Sequence, residues 1–434
     1  MTKPRILFLA ADCNPQWHSL PALIAEYYLS ICKYADITLV TQIRNKKDLS
    51  IFLPKNSKVI YLDTEKIAKP LYTLSEFLTR DPNKAMTSKV AFRYPSYLYF
   101  EYCVWQHFKK ELTSGEFDII HRASPMSPTL PSLIQSFSNV PFIIGPILGG
   151  LKWPDVFKGE MRREGEWLNY FRKFHSFLPF YPSTYKKASA ILAGYQHTVN
   201  DLPRSCYDRV VEFSEGGIYP KDYPERSFEE IKKGEKKPLT ILFVGRMVPF
   251  KQPEVLIQCF ANSKILKAHR LVMVGDGPEL YRLQALCKEK NIKDCVTFTG
   301  TINANEVREW MYKADIFGFP SIREQGGGVI TMASMSSMPS VVVNYGGPAK
   351  RVPEGCGVRV ELNDAEKLTK DFQLALESLV SKPIQIKKMG KRARKFTKRF
   401  YDWDWKAKKT REIYDWVLKR QTNKPDFWEP KQWY

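Results

Sequence analysis

Residues 319 to 335, "FPSIREQGGGVITMASM", set one carboxylate, Glu324, ahead of Gln325, three consecutive glycines (Gly326, Gly327, Gly328) and Val329, and then run into a helical pattern. The first N–H groups of a helix lack intrahelical acceptors and carry partial positive charge, so a glycine-rich approach to a helix start suits a phosphate. A second stretch, "ILFVGRMVPFKQPEVLIQCF" (241 to 260), ends an apolar run at Gly245 and follows it with Arg246 and, five residues later, Lys251. Two cations on one short loop suit a diphosphate; the plainer reading is a surface Arg and Lys between a strand and a helix. A third, "VGDGPELYRLQ" (274 to 284), places Gly275 and Gly277 in a turn before another helix. No second acid follows Glu324. Met332, Met335 and Met338 recur every third residue instead and read as a core-facing stripe.

The first half offers fewer such residues. His121, in "FDIIHRASPMSPTLPS", falls near the end of an apolar run. It either faces a ligand or is a structural histidine bonded to a neighbouring carbonyl. Gly145, Gly149 and Gly150, in "GPILGG", permit close approach at a strand end. The opening loop "AADCNPQWHSLP" (10 to 21) contains no glycine.

The elements that must position these residues alternate between strand-like runs and helical periodicity, which predicts α/β architecture with parallel sheets. Strands are expected at 5 to 11, 36 to 42, 58 to 64, 117 to 123, 140 to 146, 189 to 194 and 210 to 216. After "YPKDYPERSFEEIKKGEKKP" (219 to 238), rich in proline and charge, they resume at 239 to 246, 270 to 277, 296 to 301, 314 to 321, 339 to 347 and 357 to 362. The expected organisation is therefore 1 to 218, a linker over 219 to 238, 239 to 400, and a helical tail over 401 to 434. Two doubly wound domains would place a ligand cleft at their facing strand ends.

Composition is that of a globular chain of 434 residues, 44% apolar and 26% charged. No apolar stretch reaches the roughly 20 residues of a membrane span, and the N-terminus reads as a first strand rather than a signal peptide. The eight cysteines form no C-x-x-C pair and read as reduced thiols of a cytoplasmic protein. The net charge of +21 favours anionic partners. Nine Lys or Arg and no acid lie between Lys382 and Arg399, the pattern of a solvated helix face. Residues 151 to 187 mix eight basic residues with ten Trp, Phe or Tyr. That mixture suits either an anionic membrane surface or an aromatic hairpin packed on its own domain. A nucleic-acid partner is not expected, because no recognised module accompanies the charge.

The ordered series "FVGR...K", "VGDGPE", "V.F.G", "ADIF.FPS..E..G", "P.VV" and "GGP" resembles glycosyltransferase family 4, strongly from about 239 to 362 and more weakly elsewhere. The resemblance implies a GT-B fold and a retaining transfer of sugar from a nucleoside-diphosphate sugar to a hydroxyl of a glycan or lipid-linked acceptor. It implies neither metal nor cofactor, the nucleotide sugar being a co-substrate. By position it gives Arg246 and Lys251 to the diphosphate and Glu324 to the sugar hydroxyls. Gly245, Gly275, Gly277, Gln325, Gly326 to Gly328 and Val329 go to the donor, and Gly145, Gly149 and Gly150 to the acceptor side. Of the two histidines many members carry in the first half, only His121 is present, since Ala123 stands at the other position. The second acid of the family signature, which holds the ribose, is replaced by Met332. "DWDW" (402 to 405) contains the Asp-x-Asp metal signature of a different glycosyltransferase architecture, but in an aromatic, basic tail that resembles the helix which in this family crosses back to the first domain. Two alternatives stay open: a lapsed nucleotide-sugar-binding protein and a sugar-nucleotide epimerase. Peripheral attachment at the cytosolic membrane face is the corresponding expectation for location.

Overall fold

A computed structural model of the chain describes residues 2–17, 19–79, 86–164, 175–226 and 238–427. The chain divides into two compact units. Of the described residues, the first comprises those within 2–150, 175–217 and 403–427; the second comprises those within 151–164 and 218–402.

The first unit holds a seven-stranded sheet of β1 (Arg5–Ala10), β2 (Asp36–Gln42), β3 (Lys58–Leu62), β4 (Ile119–Ser124), β5 (Phe142–Ile147), β6 (Ala188–Ala193) and β7 (Val210–Glu212), in spatial order β3-β2-β1-β4-β5-β6-β7. The second holds six strands, β8 (Thr240–Val244), β9 (Arg270–Val274), β10 (Val296–Gly300), β11 (Ile316–Phe319), β12 (Ser340–Val343) and β13 (Gly357–Val360), in order β10-β9-β8-β11-β12-β13. Every pairing is parallel. Central strands such as β8 ("TILFV") and β5 ("FIIGPI") are aliphatic on both faces because helices cover both sides of a parallel sheet. In each unit the strand order reverses beside the first strand, between β1 and β4 and between β8 and β11. Open α/β sheets bind ligands beyond the carboxyl ends of such strands.

All thirteen expected strands occur, and most are shorter than expected. The apolar runs extend into the turns after each strand; 270 to 277, for instance, includes Gly275 and Gly277, which have positive φ and leave the ladder.

Two segments differ from the expected organisation. Residues 151–164 fold with the second unit: Phe157 is buried in its hydrophobic core. Of the expected linker, 227–237 lie outside the described residues. Its start is docked, with Arg226 paired to Asp315 at 3.0 Å and the Tyr223 carbonyl accepting from Arg394 at 2.7 Å. The tail helix Trp403–Val417 belongs to the first unit. There the Trp403 indole donates to Glu26 at 2.9 Å, and the buried Lys406 ammonium donates to the Ser214 carbonyl at 2.6 Å while lying 3.8 Å from the centre of the Phe213 ring.

Candidate active site

In the second unit, the loops that follow β8 and β11 bring the predicted charges together. The Lys251 ammonium lies 3.1 Å from Glu324 Oε2, with side chains 16% and 20% exposed, enough to meet a ligand while screened from bulk water. The same amine lies over the Phe319 ring, 4.9 Å from its centre, a favourable cation–π distance. Gly245 makes room for this lysine, because a Cβ there would sit 3.3 Å from Nζ. Arg246 follows directly, half-buried, and its side chain makes no hydrogen bond or ion pair among the described residues.

The glycine run opens a helix, Gly328–Met335, with Gly327 at its N-cap in the left-handed region (φ 73°), a conformation that favours glycine. The amides of Gly327, Gly328 and Val329 find no acceptor among the described residues. A Cβ on Gly328 would meet nothing within 4 Å. Gly326 is buried, whereas Gln325 and Val329 are half-buried. Beneath the loop runs the short helix Gly346–Arg351. The Gly347 amide donates to the Glu324 carbonyl at 2.9 Å, and a Cβ on Gly347 would collide with the carbonyls of Gln325 and Gly326. Arg351, fully buried, donates from Nε to the Gly326 carbonyl and from Nη1 to Thr331 Oγ1 at 2.5 Å; its guanidinium stacks 4.7 Å from the Tyr401 ring centre.

Arg351 did not emerge from the sequence, and 151–164 emerged only as part of an aromatic, basic stretch and not as a partner of these loops. "GGPAKRVPEG" carries no periodicity that distinguishes a buried arginine from a surface one. Residues 151–164 precede the loops they join by more than 80 positions. Arg323 donates to the Leu151 carbonyl at 3.4 Å and lies 5.0 Å from the Trp153 ring, and the Tyr345 hydroxyl donates to the Lys152 carbonyl at 2.9 Å. Arg163 reaches both oxygens of Glu279 at 2.6 Å, and Arg282 reaches the same carboxylate at 2.8 Å. Burial would push this carboxyl up, but the two arginines outweigh it and hold Glu279 below the ordinary glutamate value.

Several expected site residues are occupied otherwise. Gly275 and Gly277 are spent on chain packing: a Cβ on either would strike the backbone of Gly245 or Met247. The β9 and β8 loops are thereby pressed together, with Met247 N–H bonded to the Asp276 carbonyl at 2.8 Å. Of the methionine stripe, Met335 and Met338 are buried, whereas Met332 is half-buried at the core's edge.

In the first unit, His121 is the third residue of β4 rather than a strand-end residue, and it is fully buried. Its Nδ1 shares a 2.7 Å hydrogen bond with the Tyr414 hydroxyl and its Nε2 a 2.7 Å bond with the Gly145 carbonyl. Burial lowers its pKa to about 4, so the ring is neutral at pH 7 and must donate to the carbonyl through Nε2. Neither nitrogen is available to a substrate in this arrangement. The absent side chains of Gly145, Gly149 and Gly150 are accounted for by the chain itself, since a Cβ at these positions would meet Leu192, Pro128 and His197 respectively.

The aromatic and basic stretch 151 to 187 is not one surface. Phe157, Tyr181 and Tyr185 are buried, Phe177 is exposed, and 165–174 lie outside the described residues. In "DWDW", Trp403 is buried and Asp404 is held by Lys408 at 2.9 Å and Tyr34 at 2.9 Å. Among the described residues no three His, Cys, Asp or Glu side chains form a metal-ligating group, and no helix is long and apolar enough to cross a membrane. All eight cysteines are free thiols.

Residues 225–396 match the family model for glycosyl transferases group 1. D-inositol 3-phosphate glycosyltransferase 2 of Catenulispora acidiphila is 30% identical over 185 residues, 40% of this chain and 42% of the relative. The GPI3 subunit of phosphatidylinositol N-acetylglucosaminyltransferase from Saccharomyces cerevisiae is 24% identical over 186 residues, 42% of this chain and 40% of the relative. The chain thus matches about two fifths of the length of these curated relatives. Among solved structures, sucrose-phosphate synthase from Thermosynechococcus elongatus aligns with a TM-score of 0.65 at 17% identity, covering 96% of this chain and 100% of that one. Anabaena HepE in complex with UDP and glucose aligns at 0.59 and 15%, covering 94% and 99%. At these identities the likeness is one of fold: two α/β units with parallel, doubly wound sheets, as in GT-B glycosyltransferases.

Proposed function

We propose that this chain is a retaining glycosyltransferase that moves a sugar from a nucleoside-diphosphate sugar to a hydroxyl of a glycan or lipid-linked acceptor. The observation that carries the reading is the meeting, beyond β8 and β11, of Lys251 and Glu324 with a helix start whose first amides have no acceptor among the described residues. The group 1 match over 225–396 spans these residues. A diphosphate placed against the amides of Gly327, Gly328 and Val329 would receive donors at no reorganisation cost. As the sugar–phosphate bond breaks, negative charge grows on the phosphates and positive charge on the sugar. Arg246 and Lys251 then stabilise the leaving group, and Glu324, beside the lysine, orients the sugar through its hydroxyls. The protein supplies this charge from its own side chains, so the reaction is proposed to run without a metal. In the front-face course proposed here, a donor phosphate oxygen takes the acceptor proton, and no protein base is required.

A second reading, a nucleotide-sugar-binding protein without transfer activity, is favoured by Met332. This half-buried thioether stands where an acid would hold the ribose. One experiment separates the two. A panel of UDP, GDP and ADP and their sugars is screened by thermal shift, and the donors that stabilise the protein are then incubated with and without glycan and polyprenyl-phosphate-linked sugar acceptors. Stabilisation with acceptor-dependent release of nucleoside diphosphate is expected. Stabilisation without release supports the binding protein, and no stabilisation by any member overturns both.

A further inference from the structure

We infer that Arg351 is the positioning residue that aims the glycine-loop amides at the donor diphosphate, an inference that rests on the donor site proposed above. In a planar trans peptide, a C=O and the N–H of the next residue point in opposite directions. The Gly326 carbonyl is held by Arg351 Nε, which turns the Gly327 N–H away from the buried guanidinium. Two residues earlier, the Glu324 carbonyl is held in the same sense by the Gly347 amide. The helix Gly346–Arg351 thus grips alternate carbonyls of the loop, one from each end.

The second half of the fork ties the loop to the helix it feeds. Nη1 donates to Thr331 Oγ1 on the helix that begins at Gly328, so one rigid planar group spans the left-handed N-cap at Gly327. The Tyr401 ring, 4.7 Å away, backs the guanidinium and restricts its swing. Arg351 Cδ would lie 3.7 Å from a Cβ on Gly327, so the arginine occupies the inner side of this turn. A lysine would keep the charge but lose the two-pronged geometry that fixes carbonyl and hydroxyl together. Arg351 touches no substrate in this arrangement; it acts through the direction of the backbone.

The test uses the full chain, glycine-selective 15N labelling, and titration with UDP, GDP and ADP. In the wild type, the tightest of these is expected to shift the Gly327 and Gly328 amide resonances. Arg351→Lys should weaken that nucleotide by about 10-fold or more and abolish the two shifts, the scale of losing one charge-assisted hydrogen bond. Thr331→Val, nearly isosteric and without the acceptor, should weaken it by about threefold, and it decides the matter if Arg351→Lys does not fold. Unchanged affinity and unchanged glycine shifts in the folded variants overturn the positioning role. If Arg246→Ala still weakens binding in that case, the donor site itself stands. Wild-type binding that leaves Gly327 and Gly328 unmoved, or no binding at all, overturns the donor site and the inference with it.

Discussion

Within and just after β5 in the first unit, Gly145, Gly149 and Gly150 lack side chains because Leu192, Pro128 and His197 already fill the space. After β11 in the second, a Cβ on Gly328 would meet nothing. In the first unit His121 spends both ring nitrogens on Tyr414 and Gly145, while the side chain of Arg246, after β8, makes no hydrogen bond or ion pair among the described residues. The two units share a topology, yet they use glycine and charge for different ends. Even within the second unit, Gly275 and Gly277 serve packing. What sets the site apart is the coincidence of unpaired donors, half-exposed charge and open space, and glycine content alone does not report it.

The comparison can be broken first through pH. The folded-state pKa of His121 lies near 4, below its ordinary 6.5, so the unfolded chain takes up the proton first as pH falls. Stability present above pH 6.5 should decline through the window down to pH 4, by on the order of 3 kcal/mol for this group. Denaturant unfolding of wild type and His121→Phe at several pH values measures it as the difference in slope. Equal slopes would show that His121 is not the titrating group. Where folded, His121→Phe should keep kcat within about threefold, and a far larger loss would place the first unit's histidine in the chemistry after all.

Arg246→Ala tests the other side of the comparison. Transfer should fall by roughly 100-fold or more with little change in melting temperature, the scale of one preorganised charge-stabilising donor. An unchanged rate removes Arg246 from the diphosphate. A smaller and sharper effect is expected of Gly328→Ala. With φ in the ordinary region and open space for a Cβ, stability should hold or rise slightly, since alanine is the better helix former. Nucleoside-diphosphate affinity should nonetheless drop by about 10-fold, because the methyl group covers the amides a phosphate must approach. Undiminished affinity by calorimetry would mean that the ligand does not rest on this backbone.

Much of the fold was legible because parallel strands write themselves as short aliphatic runs separated by helical periodicity; β8 and β9 can be read directly from "ILFV" and "RLVMV". Their ends were not, since strand and following turn share apolar composition until a glycine leaves the ladder. Within the site, Glu324, Lys251 and the glycine run could be selected from residue type and order. Arg351 could not: in "PAKRVPEG" it looks like any surface cation, and only the fold places the Gly326 carbonyl and the Tyr401 ring around it. For His121 the sequence leaves two readings open, and the fold buries it with Tyr414 and the Gly145 carbonyl as its partners. The 151 to 187 stretch promised one aromatic, basic surface. Its described residues divide between two units, with Phe157, Tyr181 and Tyr185 in the interior.

By itself the sequence determined the α/β class, the position of every strand and the chemical types at the proposed donor loop, because periodicity and local composition are short-range properties. Which glycines are spent on the chain's own backbone, which charges are buried, and which amides stay unpaired were decided only by tertiary structure. Those outcomes depend on what the fold brings within a few ångströms from residues far apart in the chain: Leu192 at Gly145, Tyr414 at His121, Tyr401 at Arg351.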